Sequence, residues 1–291
     1  MSQTLAIVGA GRVGCVLGRR LRELGWRIGP VVTRSAATAR AAVRAIGAGT
    51  PYDRLTRRLL AADVVLLATP DSAIAAVAER LAQIGGSEWR GKVVLHTSGA
   101  LSHAVLTPLR RVGAATGAMH PMQTFGRRGM PNLEGVVFGL DGDPAALRLA
   151  RQMARWLGGV PVRVEPAHKA AYHAAGGFAA QHTLVVLEAG VRILMRAGFT
   201  RRQATRALLV LARQTLANLQ AHGPRDAWSG PVPRGDWDTV ARHMTVLHQL
   251  PPEYAAAYRA LTRLAVRLLA PQPKRWLAQL ERALDARGRM R

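Results

Sequence analysis

With Cys15 as its only cysteine, the chain cannot form an intramolecular disulfide or a cysteine-based metal centre. Lysine is almost as scarce, occurring at Lys92, Lys169 and Lys274 alone, so arginine supplies nearly all the positive charge. Acidic residues number 17 against 41 basic ones, leaving a formal charge of +24. That balance favours anionic partners such as phosphates or a phosphorylated cofactor. The arginines are scattered at helical spacings rather than gathered in one stripe, so no specific nucleic-acid partner is expected. Aromatic residues make up only 5%, which leaves the core to Ala, Leu and Val. No run of about 18 or more uncharged apolar residues is expected, and hence no membrane association. The chain enters its first strand without a basic leader, so a cytoplasmic location is expected. His96, His120, His173 and His243 lack ligand spacing and grouped acids, so no metal is expected. No Gly-x-Ser-x-Gly elbow is present to hold a nucleophilic serine.

What is present begins at residue 5. Leu5-Ala6-Ile7-Val8 is a short apolar run suited to a buried parallel strand, and Val16, Leu17, Leu21 and Leu24 recur at helical spacing. Between them lies Gly9-Ala10-Gly11-Arg12-Val13-Gly14, in the strand, glycine turn, helix order of a dinucleotide site. Gly9 permits the tight turn, Gly11 clears the approach to a pyrophosphate, and Gly14 lets helix and strand pack closely. A second strand over 26–33 contains the awkward Gly29-Pro30 pair and ends in Thr33-Arg34-Ser35. An acidic residue there would accept bonds from an adenosine ribose hydroxyl. Arginine between hydroxyls suits a ribose 2′-phosphate instead, which favours NADP over NAD.

Ser35 should cap an Ala-rich helix to Ile46, with a short third unit over 50–60. The strand over 63–68 stops at Thr69-Pro70, and strands over 93–96, 114–119, 136–140 and 161–164 follow. Asp143-Pro144 marks a helix start. The fold class expected is α/β, a Rossmann-like mostly parallel sheet of perhaps eight strands followed by an all-helical C-terminal domain. The boundary is placed near 165, giving a nucleotide-binding domain over 1–165 and a substrate and dimerisation domain over 166–291. Helices are expected over 167–197, 200–220, 236–249, 252–270 and 273–287. Gly176-Gly177 inside the first of them implies a kink or a close approach. The Pro- and Gly-rich stretch 223–235 reads as a stiff functional loop. The large Ala/Leu faces of the helical half suggest burial in a homodimer.

Six blocks in order carry a family likeness: the glycine turn, Leu67-Ala68-Thr69-Pro70-Asp71, His96-Thr97-Ser98-Gly99-Ala100, Met119-His120-Pro121-Met122, the segment Lys169 to Ala175, and Ser229 to Asp236. They resemble a widespread bacterial family in which a Rossmann-like domain is joined to a helical domain of unknown function. Its members look related to pyrroline-5-carboxylate reductase, ketopantoate reductase and prephenate dehydrogenase. The resemblance implies an NADP-dependent oxidoreductase with a 6-phosphogluconate dehydrogenase-like C-terminal domain, acting on a small anionic keto or imino compound, with ketopantoate as one candidate. The chain departs from the family where Ala180-Gln181 replaces a Ser-Asn pair and Ser229 replaces Thr.

A ketone or imine reductase needs a proton donor and a carboxylate anchor beside its cofactor. Lys169 is the candidate donor, because lysine can exchange a proton where arginine cannot. His173, four residues on, shares its helical face and, with Tyr172, could orient substrate. Arg234 could clamp a carboxylate, and Asp236 could pair with Lys169 or cap the following helix. Thr69, Pro70 and Ser98 are expected along the cofactor with Gly9, Gly11, Arg12, Val13, Gly14, Thr33, Arg34 and Ser35. A non-catalytic nucleotide or metabolite sensor is the competing reading.

Overall fold

The computed structural model describes residues 3–126 and 129–285. An eight-stranded sheet dominates the first compact unit, Met1–Gln181. The chain lays down β1 (Thr4–Val8), α1 (Arg12–Glu23), β2 (Arg27–Val32), α2 (Ala36–Ile46) and β3 (Thr50–Tyr52). Then come β4 (Val64–Leu67), α3 (Asp71–Gly85), β5 (Val93–His96), α4 (Thr107–Arg111) and β6 (Ala115–Pro121). The sheet closes with β7 (Val137–Gly142), α5 (Pro144–Trp156) and β8 (Val160–Arg163). The spatial order is β3-β2-β1-β4-β5-β6-β7-β8, parallel throughout except for the antiparallel pair β6–β7. The chain steps outward from β1 to β3 and then returns to the other side of β1 as β4. That reversal opens a crevice beyond the ends of β1 and β4, where open α/β sheets bind ligands.

Alternation along the strands sorts the core onto two faces. Leu5, Ile7, Leu66, Leu95 and Leu140 pack with Leu17 and Leu21 of α1, Ile46 of α2 and Met153 of α5. Ala6, Val8, Val65, Leu67 and Val94 face the other way, onto Ile74 and Leu81 of α3 and onto Trp89, whose indole donates to the Leu81 carbonyl at 2.7 Å. Gly29-Pro30 is carried inside β2 by a register shift, with Leu5 opposite Ile28 but Ile7 opposite Val31. The unit expected over 50–60 is the short β3 followed by a 3₁₀ turn, Arg57–Ala61. Ser35 caps α2 by accepting from the Thr38 amide. Asp143 stands at the N-cap of α5, yet its carboxylate accepts from the Thr116 amide and hydroxyl, each at 2.9 Å, and leaves the helix uncapped.

The compact unit holding the sheet runs to Gln181 rather than stopping at 165, because α6 (Lys169–Gly177) belongs to it. Tyr172 of α6 bonds His120 on β6 and lies over Gly139 on β7, where a Cβ would come within 2.6 Å of the ring. At Gly176 and Gly177 no atom lies within 4 Å of a would-be Cβ, so no close approach explains the pair; a π-helical turn, Phe178–His182, follows directly.

The second unit, His182–Arg291, has helices joined by turns and no strand among its described residues. It comprises α7 (Thr183–Arg196), α8 (Arg201–Asp226), α9 (Trp237–Leu247), α10 (Pro252–Leu269) and α11 (Pro273–Leu284). The part of the basic tail from Ala286 onward lies outside the described residues. Thr200 and Gln203 form a reciprocal capping box at the start of α8. Gly190 lets α7 approach Leu208 of α8. Val240, Met244, Val266, Leu280 and Leu284 form the core of α9–α11. Gly223, at φ 79°, and Pro224 bend α8 near its end, so the expected loop over 223–235 begins as a helical turn.

By length and composition alone the helical stretch Pro166–Arg196 is long and apolar enough to cross a membrane, although Lys169, Glu188 and Arg192 interrupt it, and it is mostly exposed. Its apolar face is open on α7 at Leu184, Val185 and Val186, and α8 likewise exposes Val210, Leu211 and Leu216.

Candidate functional site

A cavity of about 1170 Å³ occupies the crevice at the ends of β1, β2, β4, β5 and β6. Its floor is the glycine turn. Gly9 sits at φ +82°, and a Cβ there would come within 2.6 Å of the Thr69 amide nitrogen, so only glycine fits between the two strand ends. At Gly11 the nearest atom to a Cβ is 3.9 Å away, the carbonyl oxygen of Gly9, which leaves an open backbone facing the cavity. Gly14 packs instead: its Cβ position is 3.2 Å from Ile7, Ala68 and the Gly9 carbonyl. The cavity is therefore lined by Gly9, Gly11, Arg12 and Val13, while Gly14 sets the spacing of helix and strand behind them. The first turn of α1 turns its unsatisfied backbone N–H groups and positive dipole end to this floor. Arg12 reaches across to the Phe125 carbonyl at 2.9 Å.

Two chemically different ends follow. At one end Thr33, Arg34, Ser35 and Arg54 line the cavity. The hydroxyls are engaged with α2, since Thr33 and Ser35 both contact the Thr38 hydroxyl, at 2.6 and 2.9 Å. The arginines there remain exposed. At the other end stand Thr69, Pro70, Asp71, Ser98, His120 and His173. The Thr69 hydroxyl is buried without a hydrogen-bond partner, which fits a bound group that would supply one.

The polar end is tightly specified. The Ser98 hydroxyl donates to Asp71 at 2.8 Å and accepts from the Ala100 and Leu101 amides. His96, wholly buried, accepts from the Ser98 amide at Nδ1 and donates from Nε2 to the Ser102 carbonyl, both at 3.2 Å. Those partners require the neutral ring with its proton on Nε2. Burial, followed by the charge of Lys169, pushes His96 down to about 4. His120 is likewise pushed down to about 4, by burial and then by His173 and Lys169. Tyr172 donates to the His120 carbonyl at 3.3 Å and lies 3.0 Å from its Nδ1, leaving Nε2 free to accept. His120 and His173 meet edge to face with centroids 5.9 Å apart, and Gly99 makes the room: a Cβ there would lie 2.7 Å from His173 and 2.9 Å from His120.

Lys169 opens α6 and is 1% exposed, and its ammonium has no hydrogen-bond partner. Burial lowers its pKa, while the charges of Asp141 and Asp71 oppose that shift. Asp141 is itself buried and tied by both oxygens to His103, at 2.8 Å from the amide and 3.0 Å from Nδ1. His96, Ala118 and Asp141 occupy one register row across β5, β6 and β7, and the small Ala118 separates the two polar side chains.

The structure thus brings Ser98, His120 and His173 to one end of the cavity, within electrostatic reach of the buried Lys169. It does not place Lys169 on the cavity wall. Arg234 and Asp236 belong to the second unit. Arg234 is exposed there, and Asp236 caps α9 by accepting from the Thr239 amide at 3.2 Å and its hydroxyl at 2.9 Å, bonds that also lower its pKa. His243 is engaged by Tyr258 at 2.9 Å. Asp141, His103 and Arg54 were not anticipated, and Asp71 only as part of a loop. Among the described residues no group of three or more His, Cys, Asp or Glu side chains could hold a metal ion.

A doubly wound sheet with a bare glycine turn at its switch point, followed by an all-helical unit, defines a Rossmann-like protein with a helical C-terminal region. Residues 2–121 match the Rossmann-like domain family, and residues 136–265 match the domain of unknown function DUF2520. No curated protein matches the sequence. Solved structures share the fold at low identity. A candidate NADP oxidoreductase of Bacteroides fragilis is 20% identical, with a TM-score of 0.74 over 90% of this chain and 97% of that one. A reductive aminase of Aspergillus terreus, solved with NADPH and ethyl levulinate, is 16% identical, with a TM-score of 0.70 over 96% and 99%. A pyrroline-5-carboxylate reductase of Coxiella burnetii is 16% identical, with a TM-score of 0.59 over 98% and 97%.

Proposed function

We propose that this protein is an NADP-dependent oxidoreductase that transfers hydride to or from a small carboxylated keto or imino compound, with ketopantoate as one candidate. One observation carries the reading: a buried, unpartnered Lys169 lies within electrostatic reach of the polar end of a cavity whose floor is a glycine turn open to a pyrophosphate. An unpaired buried ammonium is expensive, so the site favours either a partner arriving with substrate or release of the proton. The similar solved proteins support the chemistry, since they include a reductive aminase bound to NADPH and a pyrroline-5-carboxylate reductase.

The residues fit NADP(H). Gly9, Gly11, Arg12 and Val13 would hold the pyrophosphate, Arg34 the ribose phosphate, and Thr69, Pro70 and Ser98 the nicotinamide half. The bound cofactor would supply or accept the hydride. Lys169, held behind the cavity wall, would have to reach that wall to deliver a proton to the carbonyl oxygen or imine nitrogen, and burial makes it a readier donor than an exposed lysine. His173, on the cavity wall, would orient that atom, while Tyr172 fixes His120 beside it. Asp236 has the structural role of capping the helix that follows Arg234.

The exposed apolar faces of α7 and α8 support a homodimer formed through the helical unit. A subunit surface accounts for them better than a bilayer, because the same long helix begins with Lys169 and Tyr172, which belong to the sheet unit. We place the dimer in the cytoplasm.

The test mixes the purified chain with NADPH and a panel of 2-keto acids, including ketopantoate, and cyclic imino acids. Steady oxidation of NADPH with at least one of them is expected. Lys169→Met should lower kcat by about 10²-fold or more while NADPH binding changes little. NADPH binding without turnover across the panel would replace the enzyme with a cofactor sensor.

A further inference from the structure

Several arginines have partners, among them Arg12, Arg19, Arg192 and Arg263, but a group at the ends of β2 and β3 does not. Arg34 and Arg54 line the main cavity, and Arg40, Arg54 and Arg58 line a crevice of about 360 Å³ that shares Asp53 and Arg54 with it. Among the described residues, none of these four guanidinium groups makes a hydrogen bond or an ion pair. Arg57, their sequence neighbour, shows the alternative, since it bonds the Ile84 carbonyl and Glu88. Asp53 is the one carboxylate on the shared rim, so positive charge prevails there four to one.

Such a rim is matched to a doubly charged group with several acceptor oxygens. A phosphate monoester near neutral pH carries about −1.5 to −2 charges and three acceptor oxygens, and a guanidinium presents paired donors to it. A ribose hydroxyl would leave the same arginines repelling one another. The neighbouring hydroxyls offer little help, because Thr33 and Ser35 are already engaged with Thr38.

We propose that Arg54, from the loop after β3, is a second cofactor-specificity residue, sharing with Arg34 a phosphate monoester on the adenosine ribose, while Arg40 and Arg58 add positive field from the adjoining crevice. This rests on the NADP reading above and extends it from one arginine to a cluster. The selecting charge then comes from two loops far apart in sequence.

Equilibrium titration of the full chain with NADPH, NADH, adenosine 2′,5′-bisphosphate, adenosine 5′-monophosphate and inorganic phosphate tests it. Arg54→Ala should weaken NADPH and the bisphosphate by at least about tenfold, and leave NADH and the monophosphate within about twofold. Arg54→Lys should recover part of the loss, and Arg34→Ala combined with Arg54→Ala should make the two dinucleotides bind alike. Equal losses for NADPH and NADH in Arg54→Ala, or none for either, overturn the assignment while leaving the redox reading standing. Inorganic phosphate binding as tightly as the bisphosphate overturns the cofactor source in favour of free phosphate. Failure of the wild-type chain to bind either dinucleotide removes both this assignment and the redox reading.

Discussion

Acidification should weaken this fold through His96. The folded chain keeps the ring neutral, because the Ser98 amide occupies Nδ1, the Ser102 carbonyl takes the Nε2 proton, and burial holds its titration near 4 against 6.5 for a free imidazole. Between those values the unfolded chain binds a proton that the folded chain refuses. Stability therefore rises with pH across the window and is lost as pH falls from above 6.5 towards 4. Going from about pH 7 to about pH 4.5, this one group accounts for about 2.5 kcal/mol, a substantial fraction of the 5–15 kcal/mol of a typical domain. Urea unfolding of the wild type and of His96→Asn at both pH values isolates the contribution, since Asn can accept from the Ser98 amide without titrating. The wild type should lose about 2.5 kcal/mol more than the variant over that interval. Parallel losses, differing by less than about 0.5 kcal/mol, would refute the assignment of a buried neutral ring.

Gly9→Ala combines a left-handed backbone with a Cβ 2.6 Å from the Thr69 amide, so denaturant unfolding should show a loss of at least about 2 kcal/mol. Dinucleotide binding should disappear with it, and a variant of unchanged stability would contradict the tight closure of β1 on β4. Replacing Leu184 and Val185 by arginine on the exposed face of α7 should convert a dimer into a monomer in sedimentation without lowering the content of helix. A wild type that already sediments as a monomer would remove the proposed subunit interface.

Local chemistry was legible, and long-range pairing was not. The strand at residue 5, the turn at Gly9, the cap at Ser35 and the proline that starts α5 each depend on a few neighbouring residues, so composition and spacing reveal them. Ten of the eleven residues expected along the cofactor line the cavity, all but Gly14, since strand ends in a parallel sheet converge on one edge. Asp141 and His103 lie 38 residues apart and meet only because β7 runs antiparallel beside β6, a reversal that no local pattern announces. Arg54 was hidden differently: in a chain so rich in arginine, one more carries no signal until the folded chain shows which of them lack partners. Asp143 shows the opposite error, where a correct helix start concealed a carboxylate committed to Thr116 instead. The apolar stretch across residues 166–196 carries polar and charged groups in its first turns, at Lys169, Tyr172 and His173, while its later turns carry the open surface.

Gly99 and Gly139 give the polar end of the cavity an adjustable width. A single methyl group at Gly99 would push on both imidazoles, and one at Gly139 would push on the phenol that anchors His120. Neither change removes a charge or a hydrogen-bonding group. Substrate range could accordingly be retuned by bulk alone at these two points, with the acid–base apparatus left chemically intact.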